Sequence, residues 1–253
     1  MGKRNVLLTG ATSGIGEATA RLLAKNNYSL ILCGRRREKL EKLKTELQSQ
    51  TKVTTLSFDV RDYQGVKAAL GSLPEEWKKI DVLINNAGNA HGLDPIQTGS
   101  VDDWDAMMDI NVKGLLYVSR EVIPGMTEQK SGHIINLGSI AGKEVYPNGN
   151  VYCASKFAVD AVTKGMRMDL NPFGIKVTSI HPGLVETEFS LVRFKGDAEK
   201  AAAVYKGIQP LTAADIADIM LYVLSVPDHV QLADITVFPK AQASSTMVNR
   251  NKL

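Results

Sequence analysis

A doubly wound α/β domain with a seven-stranded parallel sheet, the Rossmann arrangement, is the fold this sequence predicts, and three observations predict it. Short apolar runs rich in β-branched residues alternate with helix-length amphipathic segments along the whole chain. A glycine-rich turn follows the first of those runs, where such sheets carry their first crossover helix. With 253 residues, 44% of them hydrophobic, the chain can bury a sheet on both faces. No repeat, low-complexity tract or linker interrupts the alternation, so residues 1–253 read as a single domain.

Seven runs supply the strands: NVLLT (5–9), YSLILC (28–33), KVTTLSF (52–58), DVLIN (81–85), HIINLG (133–138), IKVTSI (175–180) and DITVF (234–238). Helices are expected near 15–26, 36–49, 62–71, 101–129, 150–170 and 212–225. Strands separated by helices imply a parallel sheet, and right-handed crossovers wind it on both faces. Two segments are too long to be simple connections: 86–100 and 182–211. Both follow strand ends, where ligands of open α/β sheets bind, and residues 187–211 are expected to form a lid with one or two short helices.

Composition excludes several classes. A formal net charge of +3, with both signs interleaved, gives no footprint for nucleic acid or an anionic membrane. No apolar run approaches the length of a membrane span. The basic start MGKR runs straight into the first strand rather than a leader, and it lacks the acylation pattern. The cysteines, Cys33 and Cys153, stand in apolar or small-residue contexts and read as free thiols of a reducing, cytoplasmic compartment. His91, His133, His181 and His229 have no partner at ligand spacing, so no metal is expected.

The turn after the first strand reads TGATSGIGEATARLL. Gly10, Gly14 and Gly16 give G-x-x-x-G-x-G between a strand and a helix start. Glycines there permit a tight turn and let backbone N–H groups approach a pyrophosphate at the helix N-terminus. Gly10, Thr12, Ser13, Gly14, Ile15 and Gly16 are therefore the candidate phosphate cradle of a dinucleotide. The second strand ends in Gly34, followed by Arg35 and Arg36, with no acid before Glu38. Folds of this kind that take NAD place an acid near this point, whereas guanidinium forks suit a 2′-phosphate. The expected cofactor is NADP, and the bland alternative is a solvated helix start.

The segment NVYCASKFAV places Tyr152 and Lys156 four residues apart, on one face of the expected helix. Alone, that pattern also describes a partly buried tyrosine beside a snorkelling lysine. The ordered set decides between them. TGATSGIG, NNAG at 85–88, Asn111, Ser139, Y-x-x-x-K at 152–156 and Pro182-Gly183 resemble the short-chain dehydrogenase/reductase family in order and spacing across nearly the whole chain.

That resemblance implies roles. Tyr152 is the general acid and base, Lys156 binds the nicotinamide ribose and lowers the Tyr pKa, Ser139 holds the substrate oxygen, and Asn111 anchors a proton relay. Asp59 and Val60 would lie along the adenine, and Asn86, Ala87 and Gly88 would line the cleft. The turn Pro182, Gly183, Val185 and Thr187 would hold the carboxamide. Bringing a phenol from about 10 to about 7 requires roughly 4 kcal/mol. A cation about 4 Å away at an effective dielectric of about 20 supplies roughly that.

The C-terminal ITVFPKAQASSTMVNRNKL lacks the V-D-G-G-like turn found in many members. With GRRREKL, PGLVETEFS and VRFKGD it resembles the branch of NADP-dependent 3-hydroxy acid dehydrogenases that act on serine, allo-threonine and related short acids. A carbonyl, sugar, steroid or 3-oxoacyl reductase of the same family, a non-catalytic NADP sensor and a nucleic-acid binder are the competing readings. Among the lid cations Arg193, Lys195, Lys200 and Lys206, Arg193 sits between Val192 and Phe194 and is the candidate for the substrate carboxylate. Lys195, beside Gly196-Asp197, reads as a solvated turn residue. Apolar residues on more than one face of 101–129 and 150–170, with the resemblance, imply a homotetramer built on a four-helix interface, and the tail at 240–253 is a candidate contact to a neighbouring subunit.

Overall fold

The apolar runs pair as parallel strands in a computed structural model that describes residues 4–250. Residues 1–3 of the basic start and 251–253 of the tail lie outside the described residues. In chain order the strands are β1 (Asn5–Thr9), β2 (Ser29–Gly34), β3 (Val53–Ser57), β4 (Val82–Asn85), β5 (Gly132–Leu137), β6 (Ile175–Pro182), β7 (Val185–Glu186), β8 (Leu211–Thr212) and β9 (Asp234–Val237). The helices are α1 (Gly14–Lys25), α2 (Arg37–Leu47), α3 (Tyr63–Gly71), α4 (Glu75–Lys78), α5 (Val101–Met108), α6 (Leu115–Gln129), α7 (Asn150–Leu170), α8 (Glu188–Arg193), α9 (Ala198–Ala203) and α10 (Ala213–Ser225).

Seven strands form one parallel sheet in the order β3-β2-β1-β4-β5-β6-β9. Alternation along each strand splits the core into two layers. Val6, Leu8, Leu30 and Leu32 face Leu23 of α1, Leu40 of α2 and Met220 of α10. Leu7 and Ile31 face the other way, onto Val66 of α3 and Val118, Val122 and Met126 of α6. Each such side chain, fully buried, stabilises the fold by about 1.5–3 kcal/mol. The expected strands are present within a residue or two at each end.

The strand order reverses between β1 and β4, and chain crossovers leave in opposite directions from that point. A crevice opens there above the strand ends, and loops 86–100 and 182–211 border it. The ends of the 182–211 segment are tied together, because β7 pairs with β8 and Leu211 N–H donates to the Leu184 carbonyl at 2.9 Å. Between them lie α8 and α9, the two short helices expected.

One expectation is revised. The helix expected to run through 101–129 is broken by a π-helical turn, Asp109–Gly114, between α5 and α6. Its wider coil turns Asn111 inward, where that side chain finds the partners described below. The described tail residues also make contacts within their own chain. Gln242 and Val248 form an antiparallel bridge, and Arg250 donates to the carbonyls of Lys206 and Val204 at 2.6 and 3.1 Å.

Candidate active site

Two cavities meet at the crevice. The first, of about 290 Å³, lies over the ends of β1 and β2 and is lined by Gly10, Thr12, Ser13, Gly14, Ile15, Arg35, Arg36, Asp59, Val60, Asn86, Ala87 and Gly88, among others. Its floor is shaped by close approach. A Cβ on Gly16 would lie 2.2 Å from the Gly10 carbonyl oxygen, and Gly10 and Gly14 have φ of +66° and +52°. Ser13 caps α1 without a side-chain hydrogen bond, so the first N–H groups of that helix have no capping side chain. Uncapped donors, a positive helix end and a cradle without side chains fit a pyrophosphate.

Arg36 is fixed across this cavity. Its Nε and Nη2 donate to the Thr12 hydroxyl and carbonyl at 3.1 and 3.2 Å, and its Nη1 reaches Glu188 of α8 at 3.2 Å. Arg35 stands 3.6 Å from Asp59. Two guanidinium groups and no acid at the end of β2 fit a 2′-phosphate better than a free ribose hydroxyl.

The second cavity, of about 330 Å³, continues past Gly88 to the ends of β5 and β6. Ser139, Tyr152, Lys156, Pro182, Gly183, Val185, Thr187 and Arg193 all line it. Tyr152 and Lys156 rise from one face of α7, as their spacing requires, and both are buried. The Lys156 ammonium donates to the Leu137 carbonyl at 2.9 Å, and burial pulls its pKa down to about 8. Ser139 caps a short 3₁₀ turn by accepting from Ala141 N–H at 3.1 Å, which leaves its own proton free to donate. Asn111 is fully engaged: its Oδ1 accepts from Asn89 N–H at 2.9 Å, while its Nδ2 donates to the Asn89 carbonyl at 2.9 Å and to Ser155 at 3.0 Å. A Cβ on Gly88 would lie 3.0 Å from Asn111 Oδ1 and 3.5 Å from Lys156 Nζ, so these two groups converge on the same glycine.

The electrostatics of the phenol differ from the sequence expectation. Burial pushes Tyr152 up, and neighbouring Tyr146 adds to this. The groups that pull it down are Arg193 and the Ser139 hydroxyl. Arg193 is held over three rings, with its Cζ 4.8 Å from the centroid of Tyr152 and 5.7 Å from those of Tyr146 and Phe189. Its Nη2 donates to the Tyr146 hydroxyl at 2.6 Å, and its buried Nε has no hydrogen-bond partner. No carboxylate pairs with it among the described residues. Other cations of residues 187–211 look elsewhere: Lys195, at φ +54°, pairs with Asp103 at 2.9 Å, and Lys200 pairs with Asp197 at 3.2 Å.

Several site residues escaped the sequence reading. Tyr146 and Phe189 complete the cage around Arg193, and only the i, i+4 spacing of Phe189 and Arg193 hinted at either. Gln242 of the tail is buried and accepts from Leu184 N–H at 2.8 Å, and it lies so near Gly183 that a Cβ there would come within 2.3 Å. It clamps the Pro182–Thr187 turn from behind, and nothing local in AQASS signals it.

A parallel sheet with a glycine cradle at its switch point, and a buried Tyr–Lys pair with Ser139 beside it, defines a dinucleotide-dependent oxidoreductase fold. The chain belongs to the short chain dehydrogenase family, whose pattern matches residues 4–197. It is 46% identical to an NADP-dependent 3-hydroxy acid dehydrogenase, YdfG of Salmonella typhi, over 94% of this chain and 96% of that one. It is 44% identical to sulfoacetaldehyde reductase 2 of Chromohalobacter salexigens, over 95% and 96% of the two chains. The closed form of a serine dehydrogenase complexed with NADP+ superposes with a TM-score of 0.91 at 44% identity, covering 95% of this chain and 97% of the other.

Proposed function

We propose that this chain is a single-domain NADP-dependent dehydrogenase that interconverts a short 3-hydroxy acid, such as serine or allo-threonine, and its 3-oxo acid. The observation that carries this reading is Arg193, a guanidinium beside the Tyr152 ring with a free buried Nε and no carboxylate partner among the described residues. A closed site that takes an anion needs such a cation, or desolvation opposes binding. Relatives named for 3-hydroxy acids and for sulfoacetaldehyde act on molecules with the same layout, an anionic group one carbon from the reacting carbon.

Bound NADP+ supplies the hydride acceptor, and NADPH supplies the donor. Gly10, Gly14, Gly16 and the α1 N-terminus would hold its pyrophosphate, Arg35 and Arg36 its 2′-phosphate, and Asp59 with Val60 its adenine. Asn86, Ala87 and Gly88 would flank the ribose, and the turn Pro182 to Thr187 the carboxamide. Ser139 donates its free proton to the substrate oxygen and orients it. Tyr152 takes the hydroxyl proton during oxidation and returns it during reduction. Arg193 and the buried Lys156 favour the phenolate as it forms. Asn111 locks the Asn89 backbone, and the proton leaves past Lys156, the group that shares Gly88 with it. Residues 187–211 close over the acid.

The buried free thiols Cys33 and Cys153 support a reducing, cytoplasmic setting. Exposed Leu116 on α6 and Phe157 and Met168 on α7 support burial of those helices between subunits of a homotetramer. A monomer mass in solution at micromolar concentration would contradict the assembly.

The substrate reading is tested with purified protein, NADP+ and matched 3-hydroxy acids and neutral alcohols, followed by absorbance of the reduced cofactor. Arg193→Met is expected to raise KM for the acids at least about tenfold and to spare neutral alcohols, since a hydrogen bond to a charged group contributes about 1.5–3 kcal/mol. Equal losses on both substrate sets would move the carboxylate partner away from Arg193.

A further inference from the structure

Asp160 continues the stripe that Tyr152 and Lys156 begin, at i+8 on α7, and the roles given above leave it unused. Its buried carboxylate accepts from Lys143 at 2.8 Å and from Lys164 at 2.7 Å. Lys143 also reaches Asp234 of β9 at 2.5 Å. Lys143 directly follows the 3₁₀ turn Ile140–Gly142, so this cluster ties the far end of the Ser139 turn to α7 and β9.

Against the cluster lies His181 of β6, with no solvent exposure. Its Nε2 stands 3.4 Å from Asp234 and 3.6 Å from Asp160 without a hydrogen bond. Its Nδ1 is 3.2 Å from the carbonyl oxygen of Ser139. A carbonyl only accepts, so the proton of this contact sits on Nδ1. Burial and the Lys143 charge lower the imidazole pKa despite the two carboxylates and the carbonyl, which favours the neutral ring. The residue before Ser139 is glycine because the ring takes its space: a Cβ on Gly138 would lie 2.5 Å from Nδ1 and 2.7 Å from Cε1 of His181. Asp160, His181 and Asp234 offer ligand atoms within 4.8 Å of one another, but Lys143 already bridges both carboxylates, so the arrangement is an ion cluster and not a metal centre.

We propose that His181 is a positioning residue for Ser139: its Nδ1–H grips the Ser139 carbonyl, while the Asp160–Lys143–Asp234 cluster backs the ring and anchors the other end of the same turn. The Ser139 carbonyl then has two donors, His181 and Gly142 N–H at 2.9 Å, and the turn is held at both ends. Because the anchor on α7 lies on the same face as Tyr152, the distance between the serine hydroxyl and the phenol is set by this network. Ser139 and Tyr152 carry the roles given under the proposed function, and the inference rests on that reading.

Asparagine and glutamine separate positioning from mere filling. The amide of Asn reproduces a donor at the Nδ1 position, whereas Gln reaches toward the Nε2 position. His181→Gln is expected to lower kcat about tenfold, the upper cost of one lost neutral hydrogen bond, with the Kd for NADP+ unchanged. His181→Asn should recover most of that loss. Amide exchange of Ala141 and Gly142 should speed up in the Gln variant and stay slow in the Asn variant. Rates equal in the two variants, a slower Asn variant, or exchange that does not follow the Nδ1 donor would overturn the assignment. Should the Gln variant fail to fold, Lys143→Gln, at a partly exposed site, must speed up the same two amides, and unchanged exchange there sinks the proposal. The exchange readout needs no substrate. A wild type inactive on every 3-hydroxy acid would defeat the substrate reading and leave this test standing.

Discussion

At the ends of β1 and β2 the cleft is shaped by side chains that are missing, and at the ends of β5 and β6 by charged groups that are buried. Gly16 has no room for a Cβ against the Gly10 carbonyl, and Gly10 adopts a φ that other residues avoid. Lys156, by contrast, is present, charged and nearly closed off from water. The first half needs a backbone shape, which no change of pH alters. The second half needs electrostatic work, which desolvation resists. On the proposed function, a binding cradle and a reacting centre thus place opposite demands on stability within one crevice.

The largest expected effect breaks the reacting half and spares the cradle. Tyr152→Phe should lower kcat by at least about 10²-fold, the low end for a positioned acid–base group. Kd for NADP+, read by titration, should stay near the wild-type value. Residual turnover within about tenfold of wild type would remove Tyr152 from the chemistry.

The next prediction measures what the buried charge costs. Burial takes the Lys156 pKa from 10.5 down to about 8. Between those values the unfolded chain binds more protons than the folded one, so this group makes stability rise with pH across that window. Below about 8 the penalty is present in full. Lys156→Met should therefore raise unfolding stability at pH 7 by about 3 kcal/mol, at about 1.36 kcal/mol per unit. The gain should fade as pH approaches 10.5, while activity is lost at every pH. Denaturant titrations at several pH values check this, and a pH-independent difference would mean the ammonium is solvated.

The smallest effect lies in the cradle half. Arg35→Ala with Arg36→Ala should remove a preference for NADP(H) over NAD(H) of about tenfold, or roughly 1.4 kcal/mol. Turnover with NAD(H) should be spared, because these side chains are partly exposed and ion pairs there contribute little to the fold. A wild type that uses both cofactors equally would show that Arg36 serves only Thr12 and Glu188.

The two halves also differ in how much of them the amino-acid order reveals. Glycine spacing after β1 and the basic end of β2 are local, and local geometry follows from local sequence. The strand runs are equally local, since period-2 alternation assigns Leu7 and Leu8 to opposite layers before any tertiary contact exists. Tyr152 and Lys156 share a helix face by spacing alone. The break at Asp109–Gly114 was hidden, because helix propensity there is ordinary and the wider turn follows from what Asn111 meets in Asn89 and Ser155.

What the sequence by itself determined is the order of strands and helices, the cradle, and the identity of the groups able to react. What only the tertiary structure decided is the company those groups keep. Arg193 meets Tyr146 across 47 residues, Gln242 meets Leu184 across 58, and His181 meets Ser139 across 42. Separations of that size leave no periodic or spacing signal, because the chain between them can be rearranged without changing the pattern on either side. The charge state of the site follows the same rule. Whether a lysine stays near its solution pKa or falls to about 8 depends on how much water the folded chain removes around it.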